Sequence, residues 1–128
     1  MKLLALTSLI AGLSLAPLAA TADDFSLGYD VDRYPATQLS VKSCLAALAR
    51  GAAAAGYTTR TQSDQGTLAT HVSGPVGGGR ALVSYCISAG THTAFVVQAL
   101  DYSGPDSRAT DAVKARVTAE LRKAAGAR

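Results

Sequence analysis

Residues 74–87 read GPVGGGRALVSYCI, Gly74 to Ile87, and the residues after the glycines decide the architecture. Gly74-Pro75-Val76-Gly77-Gly78-Gly79-Arg80-Ala81 is one Lys and one hydroxyl short of the G-x-x-x-x-G-K-[ST] loop that cradles nucleotide phosphates. Such a loop works only when a helix comes after it, because the phosphates bind the free amides and dipole of that helix's first turn. Here Arg80 to Ile87 is β-branched, aromatic and alternating, without a helical stripe. A strand on either side of a glycine-rich segment makes a hairpin with a flexible loop, so the local sheet is antiparallel and the nucleotide reading falls.

Working outward, the same two-residue period governs the middle of the chain. Tyr57 to Ser63 is Thr-rich and predicts a polar, exposed strand. Asp64-Gln65-Gly66 turns into Thr67–Ser73, where Leu68, Thr70 and Val72 share a face. After Ala89-Gly90, Thr91 to Tyr102 is apolar on both faces at Ala94-Phe95-Val96-Val97. Near the start, Phe25, Leu27, Tyr29 and Val31 alternate with Ser26, Gly28, Asp30 and Asp32. This predicts a half-buried strand with its apolar side inward, ended by Tyr34-Pro35.

Two segments change to helical spacing. Ser40 caps a helix running to about Ala55, with Gly56 as its left-handed stop and Val41, Cys44, Leu45, Leu48, Ala52 and Ala55 as one stripe. Gly51 and the alanines make that helix thin. After Ser103-Gly104-Pro105-Asp106, a second helix from about Ser107 to Ala125 carries Val113, Val117, Leu121 and Ala124 on its stripe. Its cations crowd the C-terminal half, where the helix dipole favours them. The expected fold is α+β: a mostly antiparallel sheet of about five strands, in the order β-α-β-β-β-β-α, packed by two helices.

The first residues carry an address. Met1-Lys2, an apolar run from Leu3 to Ala16, and Ala20-Thr21-Ala22 are the parts of a secretory signal over residues 1–22, with cleavage before Asp23 and cleavage after Ala20 as runner-up. Residues 23–128 then form one small domain of roughly a hundred residues, periplasmic or secreted, with no further run long enough to span a membrane. Cys44 and Cys86 meet an oxidising compartment and are expected to pair, pinning helix to sheet. Ala-richness, more Arg than Lys, and the absence of Trp and Asn fit a GC-rich bacterial genome. In general shape the chain resembles small exported bacterial domains with one disulfide, a resemblance that carries no motif and transfers no site.

Several chemistries lose ground on composition and spacing. Twelve basic and nine acidic residues leave a formal charge of +3, and +2 once Lys2 departs with the signal. The basic residues are scattered, so nucleic acid is not an expected partner. No His/Cys/Asp spacing suits zinc, no cofactor motif stands out, and neither cysteine lies in C-x-x-C. Asp30 and Asp32 share a strand side about 7 Å apart, read as the solvated side of an edge strand. His71 and His92 read as surface histidines. A small hydrolase built on either with a nearby hydroxyl is the alternative function.

The more telling feature is the strand of Cys86. If Cys86 points to the first helix, then Val83, Tyr85 and Ile87 point the other way, joined by Phe95 and Val97 or by Val96 and Leu100. Such an apolar second face must be covered by the last helix, a partner subunit or a ligand. The expected function is therefore a non-enzymatic binding or protein-interaction module. Val83, Tyr85 and Ile87 are its candidate interaction face, and its candidate partners are a protein, a small ligand or a second copy.

Overall fold

The computed structural model describes residues 24–127 and keeps the expected element order. Strand β1 (Ser26–Pro35) leads to helix α1 (Val41–Ala54). Strands β2 (Thr58–Asp64), β3 (Leu68–Gly74), β4 (Arg80–Ala89) and β5 (His92–Asp101) come next, and helix α2 (Arg108–Ala124) closes the chain. The five strands form one antiparallel sheet in the order β1-β5-β4-β3-β2. The meander β2–β5 runs in sequence order, and β1 returns to flank β5. A strand apolar on both sides belongs in the sheet interior, and β5 takes that place. The export signal expected over residues 1–22 lies outside the described residues.

Local chemistry explains the element ends. Ser40 forms a capping box with Ser43: its Oγ accepts from the Ser43 amide at 3.0 Å, and the Ser43 hydroxyl answers the Ser40 amide at 3.0 Å. At the other end Gly56 takes φ +80°, and the amides of Gly56 and Tyr57 return to the carbonyls of Ala53 and Ala52, a Schellman closure. Pro75 to Gly79 form the loop joining β3 to β4, as the strand after it requires. Arg60, at a bulge in β2, braces that loop through Nη2 to the Pro75 carbonyl at 3.1 Å.

Both helices lie on one side of the sheet, so the core is a single layer between them. Leu39, Leu48, Leu82, Phe95, Val97, Val117 and Leu121 are fully buried there. Gly51 lets α1 approach α2 rather than the sheet: a Cβ at that position would stand 2.8 Å from the Val117 Cα. The Cys44–Cys86 disulfide joins α1 to β4 with a Cα separation of 6.1 Å. It is consistent with an oxidising, extracytoplasmic location.

The outward face of β1 is where the expectation fails. Phe25, Leu27, Tyr29 and Val31 do not point into the core; they are exposed, and the polar side of the strand faces α2. Two hydrogen bonds hold it there. Ser26 Oγ lies 2.8 Å from Thr110 Oγ1, and Thr118 donates to Asp30 at 2.7 Å. Gly28 lies on the same side, where a Cβ would come into ordinary van der Waals contact with Asp111 and Lys114. Asp30 is thus a half-buried helix anchor and not a solvated carboxylate.

Candidate functional site: the open sheet face

With both helices on one side, the other side of the sheet carries no covering element among the described residues. Register defines what lies on it. Tyr29, Gln98, Val83 and Val72 form one row across four strands, and Val31, Val96, Tyr85 and Thr70 form the next. Leu27, Leu100 and Ala81 flank these rows at one end, and Arg33, Ala94, Ile87 and Leu68 flank them at the other. Tyr29 is 65% exposed and Val31 is 61% exposed at the β1 edge, while Val83, Tyr85, Val96 and Val72 in the middle of the face are half-buried by their neighbours. Phe25 and Tyr102 extend the patch at its rim, their rings 5.9 Å apart.

Val83, Tyr85 and Ile87 therefore sit on this face together, and Val96 and Leu100 join them while Phe95 and Val97 go to the core. The contribution of β1 was missed in the sequence. Its apolar residues read as core, and only the pairing of β1 with β5 shows that they continue the row begun by Val83 and Tyr85. Alternation gives a strand two faces; it does not say which one a helix covers.

The face is also nearly free of charge. From β1 to β3, Arg33 and His92 are the titratable side chains on it, and both lie at the same end. Ion pairs lie away from it, on the helix side and at the β5–α2 connection. Lys114 approaches Asp30 at 4.0 Å and Asp111 at 3.6 Å along a groove beside α2 that Arg122 and Lys123 also line.

The remaining candidates sit apart from one another. His71 lies on the helix side, fully buried, and is not the surface residue its strand position suggested. Its Nδ1 lies 3.2 Å from Gln62 Oε1, while Nε2 makes no hydrogen bond within the protein. Ser84 is directly opposite it in register and Ser73 is its neighbour along β3; both hydroxyls are likewise sealed and unpaired. Burial pushes the His71 imidazole below its ordinary pKa. His92 is at the far end of β5, with Nδ1 3.0 Å from Thr91 Oγ1. Neither imidazole is hydrogen-bonded to a carboxylate. Among the described residues no group of three or more His, Cys, Asp or Glu could hold a metal, and no helix is long and apolar enough to cross a membrane.

Arg80, which follows the three glycines of the opening motif, has a structural duty. Its Nε donates to the nearly buried Asp101 at 3.1 Å. Hydrogen bonds from the Ser103 hydroxyl and amide, with the Arg80 contact adding to them, hold the Asp101 carboxyl below the usual carboxylate range. Arg80 thus ties the start of β4 to the end of β5, and a strand, not a helix, follows the glycines.

Residues 24–126 match the model of a family of unknown function (DUF6180), and the chain belongs to that family. No curated protein matches it.

Proposed function

We propose that this member of the family is an exported binding module, periplasmic or secreted, whose working surface is the open sheet face around Val83, Tyr85 and Ile87. One observation carries the reading: a broad apolar surface, with charge only at one end, is left without a covering element among the described residues on a domain whose core is already complete on the other side. Contiguous apolar patches beyond a few hundred Å² are rare on soluble monomers and mark places where something docks. The secretory pattern of residues 1–22 and the Cys44–Cys86 bridge support export. The hydrolase alternative has less behind it: His71 and its hydroxyl neighbours are buried under α1, and His92, beside the Thr91 hydroxyl, has no carboxylate hydrogen-bonded to its ring.

The test is a photo-reactive residue in place of Tyr85, with a second at Lys42 on the outer side of α1 as control. Irradiation in the native compartment should give a defined adduct from position 85 and none from position 42. No adduct from position 85, or equal capture at both, overturns the reading.

A further inference from the structure

The occupant of the face can be named, on the premise that the face is a docking surface. We propose that it is a second copy of this chain, stacked sheet to sheet about a twofold axis to give a helix–sheet–sheet–helix sandwich.

Size is the first argument. Four strands at about 4.8 Å spacing and eight residues at about 3.3 Å rise make a plate of roughly 19 by 26 Å. That is about 500 Å² measured flat, and side-chain relief raises it toward the ~800 Å² that each partner of a standard stable interface buries. Shape is the second. A plain antiparallel sheet is complementary to another of the same twist, the two packing about 10 Å apart and close to aligned.

Charge is the third, and it separates a copy from a stranger. Selection of a different protein rests on complementary charges and on repulsion of wrong partners. From β1 to β3 the titratable side chains on this face are Arg33 and His92, both at one end, so its centre neither rejects its own copy nor picks out another protein. An isologous contact needs no such code, because the same patch serves both subunits. Gln98, the one amide in the central rows, needs a hydrogen-bond partner once buried. A twofold axis beside it lets the two Gln98 amides satisfy each other as donor and acceptor.

Sedimentation equilibrium of the purified, oxidised protein across micromolar concentrations tests this, together with Val83→Lys, Gln98→Glu and the outer-helix control Lys42→Glu. The expected result is a mass of two chains for the wild type and for Lys42→Glu. Val83→Lys should be a monomer of unchanged circular dichroism. Gln98→Glu should be monomeric at neutral pH, where two carboxylates would face each other, and regain the dimer in acid. A monomeric wild type overturns the proposal, as does a dimer that survives Val83→Lys, since it would use an edge strand or another surface. Should the variants fail to fold, the photo-adduct from position 85 decides. Two chains in the adduct support the copy. A different protein in it refutes the copy and leaves the docking reading standing; no adduct refutes both.

Discussion

His71 is buried with one ring nitrogen near Gln62 and the other unpaired, so adding a proton places a charge among groups that do not answer it. The free imidazole titrates near 6.5, and in the folded protein burial moves that value down. A depressed folded value gives stability that is fully present above about pH 6.5 and is lost as pH falls through the folded value. The melting temperature should therefore drop as the pH falls below about 6.5, and His71→Gln should flatten that slope whatever it does to the midpoint. Parallel slopes for the two proteins would refute the assignment. The burial of His71 could not be read from its neighbours in sequence: Thr70-His71-Val72 alternates like any half-exposed strand. What buries it is α1 crossing above and Gln62 arriving from the next strand, both contacts between distant segments.

Elements were more legible than their sides. Ser40 and Gly56 mark the ends of α1 because caps are local chemistry, and Gly90 marks the β4–β5 turn for the same reason. The seat of β1 was illegible because the usual rule, apolar side inward, fails when the sheet keeps a second apolar face; Ser26 and Asp30 then bind α2 by hydrogen bonds. Packing between elements reverses another sequence rule at Gly51. In an isolated helix Gly→Ala gains up to about 1 kcal/mol. Here the new methyl would meet the Val117 backbone, which cannot swing aside as a side chain can. Gly51→Ala should destabilise by about 1–3 kcal/mol in urea titration, as overpacked cores do, and a stabilised variant would show that the helices separate freely. The covalent link between elements is tested similarly. Cys44 and Cys86 are 42 residues apart, and their bridge should contribute about 2–4 kcal/mol. Equal urea midpoints for the native protein and the double variant Cys44→Ala, Cys86→Ala would remove that contribution.

At the scale of the molecule, one sheet serves two apolar layers, and the helices cover only one of them. If a second copy covers the other, unfolding also dissociates the pair, and mass action ties stability to amount. The melting temperature should climb with protein concentration for the wild type and stay level for Val83→Lys. A level wild-type curve would show that the layer remains bare. The strand order has a consequence in time as well. β1 pairs with β5 alone, Ser26 opposite Asp101, so the first residue of the sheet meets the last. A chain that is delivered N-terminus first must hold its opening strand idle while everything between is made. Phe95 and Val97, at the centre of the core, and Val117 and Leu121, which roof it, also come late. Until they arrive the core lacks both its centre and its roof, so the fold cannot close before nearly the whole chain has been made.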